Sequence, residues 1–250
     1  FPLVTVASRH GRRVTPTLMP AASVGRRMEV DGRRLREDLE VNAGFGTLDA
    51  DGRGRTVLAG TDANRAARER LVDRFEDAGL DVRVDAVGNV AGRWTPPSAD
   101  PDAAPVAAGS HLDSVPAGGI FDGPLGVYAA LEAVRAMQDA DLAPARPIEV
   151  VSFTEEEGQR FADGLLGSSV AVGERSVADA LALADDEGTT LESALESIGF
   201  SGEGRLDASE WDAWLELHVE QSKRLERAGV PVGVVTTITG ITHCDVTVRG

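Results

Sequence analysis

The feature that most constrains the fold is a short apolar run, Pro105-Val106-Ala107-Ala108, that leads into glycine-rich loop and then into a helix start. The loop reads Gly109-Ser110-His111-Leu112-Asp113-Ser114-Val115 and continues through Gly118-Gly119-Ile120-Phe121-Asp122-Gly123 to Pro124. Proline is favoured at a first helical position because its missing N–H has no intrahelical partner there. Val127, Leu131 and Val134 then keep helical spacing to about Met137. A buried strand, a tight loop and a helix are the building unit of an open α/β sheet, and such sheets hold their ligands beyond the strand ends. His111 and Asp122, two metal-competent side chains, lie in that position.

The remaining chain supplies more elements of the same kind. Helical patterns start at Glu29, with Leu35, Leu39 and Phe45 as core contacts, and at Thr61, with Ala67, Leu71, Phe75 and Ala78 on one face and Gly79 as terminator. Val82 and Val84 alternate with charge as a half-buried strand does, and Gly88-Asn89 turns the chain into another strand ending near Trp94. Ile148 to Phe153 is a further apolar strand, and it delivers Thr154-Glu155-Glu156-Glu157-Gly158. In Trp214-Leu215-Glu216-Leu217-His218-Val219-Glu220 the period of two puts Glu216, His218 and Glu220 on one face. Strand patterns at Val232–Val235 and Asp245–Val248 close the chain. The fold class is therefore α/β, a mixed sheet flanked by helices on both faces.

Charge and composition narrow the function. With 25 basic and 41 acidic residues the net charge is -16, which repels phosphate backbones and argues against a nucleic-acid partner. No apolar run approaches the ~20 residues of a membrane span, so a membrane partner is not expected. Cys244 is the only cysteine, which rules out an internal disulfide and leaves any bound metal to imidazole and carboxylate. A single lysine, Lys223, and acid spread along the chain suggest a cytoplasmic protein of a halophilic organism. Residues 1–27 stand apart: they carry five arginines and no acid, so they are expected to be a non-native or disordered extension with the natural start at Met28.

Four groups then compete as metal ligands: His111, Asp122, one of Glu155–Glu157, and His218. Each has a plainer explanation alone: a satisfied core histidine, a carboxylate answering a helix dipole, a solvated acidic loop. Together, two histidines and one carboxylate suffice for a catalytic metal with an open position for water. A further carboxylate invites a second ion about 3.5–4 Å away, and an unligated glutamate could act as general base.

Four motifs carry a resemblance to a known family: residues 109–115, residues 118–123, Phe153-Thr154-Glu155-Glu156-Glu157-Gly158-Gln159-Arg160-Phe161, and Leu215-Glu216-Leu217-His218-Val219-Glu220-Gln221, supported by Ala78-Gly79-Leu80 and Val87-Gly88-Asn89. From about Val30 to Gly250 the chain resembles the hydantoinase/carbamoylase family of amidohydrolases. That family includes N-carbamoyl-L-amino acid hydrolases, allantoate amidohydrolases and β-ureidopropionases, a branch of the dinuclear-zinc aminoacylase and carboxypeptidase superfamily. The resemblance implies that His111 and His218 bind one ion, Asp122 bridges two, and Glu157 binds the second. It makes Glu156 the general base, with the register of the glutamate run set by Gly158-Gln159-Arg160-Phe161. Asp113 would orient His111, and Gln221 would line the substrate side. The cofactor implied is a pair of divalent ions, zinc first, with manganese or cobalt compatible.

The same resemblance sets the domain reading. Residues 28–240 form the N-terminal part of the catalytic domain, and 241–250 the first strand of a truncated lid domain. In the family the lid contributes dimer contacts, so a homodimer is implied for a full-length form, and the last histidine ligand of the second ion would lie in the missing part. The chain reads as a fragment of an enzyme that hydrolyses small N-carbamoyl or ureido compounds. The alternatives are a relative acting on peptide or N-acyl bonds and an inactive remnant.

Overall fold

In chain order the elements are β1 (Pro2–Ser8), α1 (Gly32–Ala43), β2 (Gly54–Arg55), α2 (Asp62–Asp77), β3 (Asp81–Val84), β4 (Val90–Trp94), β5 (Val106–His111), β6 (Gly118–Gly119) and α3 (Pro124–Asp139). They continue with β7 (Ile148–Phe153), α4 (Leu166–Ala171), α5 (Val177–Leu181), α6 (Leu191–Ser197), β8 (Ala213–Val219), α7 (Arg224–Ala228) and β9 (Gly233–Val234). This computed structural model describes residues 2–8, 28–48, 54–162, 164–238, 240 and 247. Seven strands form one mixed sheet in the order β3-β4-β7-β5-β8-β1-β9, while β2 and β6 make a separate two-stranded ribbon.

The centre of the sheet explains where a site can form. β5 runs parallel to β7 on one side and to β8 on the other, so three consecutive strand ends open onto the same edge. The chain leaves β5 for β7 through α3 and later crosses back to β8 on the far side of β5, a reversal that leaves a crevice beyond the strand ends. β4 and β3 extend the sheet antiparallel beyond β7.

Alternating residues along the strands feed two cores. Val90 and Val150 join a large cluster with Ala67, Leu71 and Phe75 of α2 and Val127, Leu131 and Val134 of α3. Their neighbours Ala91 and Val151 point the other way, into a smaller cluster with Ala107, Phe153, Ala171, Leu206 and Trp211. Leu71 and Phe75 are fully buried, each contributing roughly 1.5–3 kcal/mol by leaving water. α3 rides directly on β5 and β8 because Gly126 lets it: a Cβ there would lie 2.6 Å from the Leu217 carbonyl and 2.7 Å from the Ser110 Cβ.

Ion pairs tie α1, α2 and α3 together beside the larger core. Buried Asp38 accepts from Arg135 at 2.6 Å, with Arg70 and Arg74 at 3.4 and 3.6 Å. Buried Glu132 takes Arg34 at 2.7 Å, and Arg34 also reaches Asp139 at 2.9 Å.

Local differences from the sequence reading have local causes. α1 begins at Gly32 rather than Glu29 because the Asp31 side chain accepts from the Arg33 and Arg34 amides and so caps it. Phe45 packs on the core from beyond the helix. The strand read over Val232–Val235 is limited to Gly233–Val234. The strand read at Asp245–Val248, and with it the lid strand of 241–250, lies outside the described residues but for Thr247, which is in no element. Pro2–Ser8 departs from the reading of 1–27 as an extension apart from the fold: it pairs antiparallel with β8 over seven residues and parallel with β9. β8 pairs with β5 on one side, and Pro2–Ser8 supplies the partner on the other, where β8 would otherwise be an edge strand. Residues 9–27 lie outside the described residues.

Candidate metal centre

His111 closes β5 and is 1% exposed. Its Nδ1 lies 3.0 Å from the backbone carbonyl of Asp113, an acceptor that fixes the proton on Nδ1 and leaves the Nε2 lone pair for the crevice. His218, near the end of β8, is held alike, with Nδ1 3.0 Å from the Val219 carbonyl. The two rings stack with centroids 6.0 Å apart, so both Nε2 atoms serve one cluster. Gly123 permits this: it has φ +81°, and a Cβ there would fall 2.5 Å from the His111 ring.

Asp122, just ahead of α3, places one carboxylate oxygen 3.2 Å from His218 Nε2, while the other accepts from Gln221 Nε2 at 2.7 Å. In the metal-free protein the bond to Asp122 pushes His218 up to about 9, and the same bond holds Asp122 below the usual carboxylate range. Gln221, read from the sequence as lining the substrate side, hydrogen-bonds the Asp122 carboxylate here.

The three glutamates after β7 have three different surroundings. Glu155 has φ +51° and turns inward, where its buried carboxylate accepts from the Arg160 amide at 2.5 Å and the Phe161 amide at 2.7 Å. That turn frees Glu156 and Glu157 to face the crevice. Glu156 Oε2 is 3.5 Å from His111 Nε2. Burial pushes Glu156 up, opposed by His111 and reinforced by Asp113, Glu157 and Glu216. Burial pushes Glu157 up as well. The Glu157 amide donates to Asp113 Oδ2 at 3.0 Å. Asp113 therefore meets His111 Nδ1 through its carbonyl, with its carboxylate 3.8 Å away, and uses that carboxylate to tie the two ligand loops together.

Two triples of possible ligand atoms result, each within 4.8 Å: His111, Asp122 and His218; and His111, Glu156 and Glu157. Imidazole nitrogens with carboxylates suit a divalent transition metal; His111 presents a free Nε2, and His218 would give up the Nε2 proton it shares with Asp122 when an ion binds. The first triple unites three of the residues picked out in the sequence. The second takes in Glu156 and Glu157, with Asp122 in the other set.

Several supports were not picked out in the sequence. Asn89 Oδ1 accepts from the Thr154 amide at 3.0 Å, and Arg68 donates to Thr154 Oγ1 at 3.0 Å, fixing the start of the glutamate loop. Buried Asp85 holds Asn89 in turn, accepting from its amide and its side chain and from Leu206 N. Ser110 Oγ donates to Glu216 at 2.6 Å beneath the histidines. Gly88-Asn89 signals a turn and a match to the family without a role for the Asn89 side chain, and the burial of Asp85 and Arg68 has no local signature.

The similarities to known proteins agree with this geometry. Residues 107–249 match the peptidase family M20/M25/M40. An N-carbamoyl-L-amino-acid amidohydrolase of Rhizobium meliloti is 39% identical over 229 residues, covering 92% of this chain and 54% of the relative. An allantoate amidohydrolase of Bacillus subtilis is 38% identical over 204 residues, covering 80% of this chain and 48% of the relative. The crystal structure of a hydantoinase/carbamoylase family amidase from Burkholderia ambifaria is 43% identical and superposes with a TM-score of 0.73, over 81% of this chain and 48% of that one. The chain thus spans about half the length of these relatives. With two histidines and three acids converging where those similarities run, the chain belongs to peptidase family M20/M25/M40, and its resemblance within that family is to the hydantoinase/carbamoylase amidases.

Proposed function

We propose that the whole protein is a metal-dependent hydrolase of linear amide or ureido C–N bonds, with an N-carbamoyl amino acid or allantoate-type compound as substrate. The observation that carries this reading is Glu156: a desolvated carboxylate 3.5 Å from His111 Nε2, beside two overlapping ligand triples. The names of the relatives support the substrate class. His111 and His218 would hold one divalent ion, Asp122 would bridge to a second, and Glu157 would ligate that second ion. Zinc suits this donor set best, and manganese or cobalt fit it too. Such ions lower the pKa of water and polarise a carbonyl oxygen.

The rest follows from the chain's own side chains. Glu156, whose pKa burial pushes up, takes a proton from the attacking water and returns it to the leaving nitrogen as the C–N bond breaks. Asp113 keeps the His111 and Glu157 loops in register. Gln221 positions Asp122 and borders the space left for substrate. The relatives are about twice as long as this chain, which leaves room outside residues 1–240 for the remaining ligand of the second ion, a lid and homodimer contacts. The net charge of -16, and the lack of a membrane-crossing helix among the described residues, support a cytoplasmic, halophilic setting without nucleic-acid or membrane partners.

Glu156→Gln in the full-length protein tests the assignment. Zinc affinity should stay within a few fold of the original while turnover of N-carbamoyl amino acids or allantoate falls by about 10²–10⁴. Unimpaired turnover would remove Glu156 from the role of base. The match to a peptidase family favours a second reading, hydrolysis of peptide or N-acyl bonds. Cleavage of a dipeptide or N-acyl amino acid in preference to ureido compounds would establish it, and zinc binding with no turnover of any of them would mark an inactive remnant.

A further inference from the structure

The segment between the ligands His111 and Asp122 is laced along its length to residues 54–57. Arg55 pairs with Gly118, and Gly54 with Gly119. Ser114 donates its amide to the Val57 carbonyl at 3.0 Å, accepts the Val57 amide on Oγ at 3.0 Å, and turns its hydroxyl toward the Arg55 carbonyl at 3.3 Å. The Ala117 amide donates to Thr56 Oγ1 at 3.0 Å. At the head of this seam the Arg55 guanidinium donates from Nη2 to the Leu112 carbonyl at 3.0 Å, between His111 and Asp113.

Arg55 is the odd member of the interior. It is fully buried, and its Nε and Nη1 have no hydrogen-bond partner among the described residues. A desolvated guanidinium left with spare donors is costly unless nearby negative charge offsets it. The carboxylate that acts on it most strongly is Asp113, whose own Oδ1 is buried and unpartnered, followed among the acids by Asp122 and Glu157. The arginines of the helical network sit on Asp38, Glu132 and Asp139, whereas Arg55 faces the acids of the metal centre.

We infer that Arg55, together with Ser114, is a positioning pair for the metal centre: it pins the His111-Leu112-Asp113 backbone from behind and keeps mutually repelling acids gathered before an ion arrives. The inference rests on the metal reading of the crevice, and it separates two effects of opposite sign. A buried cation repels an incoming cation, so a purely electrostatic Arg55 would weaken metal binding, and its removal would tighten it. A positioning Arg55 would strengthen binding, and its removal would weaken it.

The test compares Arg55→Lys, Arg55→Met and Ser114→Ala in the 250-residue chain, with two measurements. Hydrogen exchange of amides 112–118 in EDTA reads the loop without metal, and zinc titration reads affinity. Faster exchange confined to this segment is expected in all three variants, with zinc affinity lowered about 10- to 100-fold, the range for groups that support ligands. Lysine should restore little, because a single ammonium replaces the planar fork that reaches Leu112. Full rescue by lysine, tighter zinc binding in Arg55→Met, or unchanged loop exchange in Ser114→Ala would each overturn the inference. Should Arg55→Met fail to fold, Ser114→Ala still decides it, since that change leaves the guanidinium in place. Absence of zinc binding by the unmutated chain would defeat the proposed function, while loop exchange in EDTA would still rule on Arg55.

Discussion

Two acidic clusters, one joining α1, α2 and α3 and one at the ends of the central strands, are built on opposite rules. In the network joining α1, α2 and α3, Asp38 is surrounded by Arg70, Arg74 and Arg135, and Glu132 is clasped by Arg34. Each acid there has a guanidinium within ion-pair distance. In the metal centre Asp113, Asp122, Glu156 and Glu157 face one another and two imidazoles, and burial pushes Glu156 and Glu157 up. A cluster that has its cations is complete and structural. The metal centre sets the His218 imidazolium on Asp122 and the Arg55 guanidinium near Asp113 against four acids, and the repulsion left over is what an added cation can relieve.

The comparison can be broken first at its strongest point. Asp38→Ala takes the shared carboxylate from three guanidiniums, leaving Arg74 its contact to Asp77 and Arg135 its contact to Glu132, and should lower unfolding stability by about 3–5 kcal/mol, measured by urea denaturation. A loss below 1 kcal/mol would mean that the network is ornamental. Next comes the cation itself: zinc at 100 times its Kd should add about 2.7 kcal/mol, reversed by EDTA, and no stabilisation would remove the distinction between the clusters. Smaller still, Glu157→Gln in EDTA should leave stability unchanged or raise it by up to about 1 kcal/mol, since functional carboxylates held together are a stability liability. A loss as large as that of Asp38→Ala would make both clusters structural.

The comparison can also be probed by pH. His218 stands at about 9 in the folded metal-free chain against an ordinary 6.5, so its bond to Asp122 stabilises fully below pH 6.5 and is lost as pH climbs through 9. Metal-free stability should therefore fall between those values, and His218→Gln should flatten the fall. Identical slopes in the two proteins would show that the pair contributes nothing.

The readable part of the molecule was the part whose signals are local. An apolar run before Gly109, Pro124 at a helix start and the alternation around His218 depend on neighbouring residues, and they placed three strand ends together. What escaped is set by distant partners. Glu155 looks like Glu156 and Glu157 in sequence, and only the amides of Arg160 and Phe161 draw it inward. Arg55 reads as one more surface arginine until Leu112, more than fifty residues on, supplies its acceptor. Pro2–Ser8 was set aside on charge, yet its pairing depends on an edge over two hundred residues away. Nor does the sequence say which atom of Asp113 meets His111: the carbonyl lies 3.0 Å from Nδ1 because the backbone runs past it.

His111 belongs to both ligand triples, and that double membership has a stoichiometric consequence. With its Nδ1 proton committed to Asp113, an imidazole has one lone pair to give, and one lone pair serves one ion. The two triples are therefore rival claims on a single nitrogen, and this stretch of chain by itself should titrate with one equivalent of zinc.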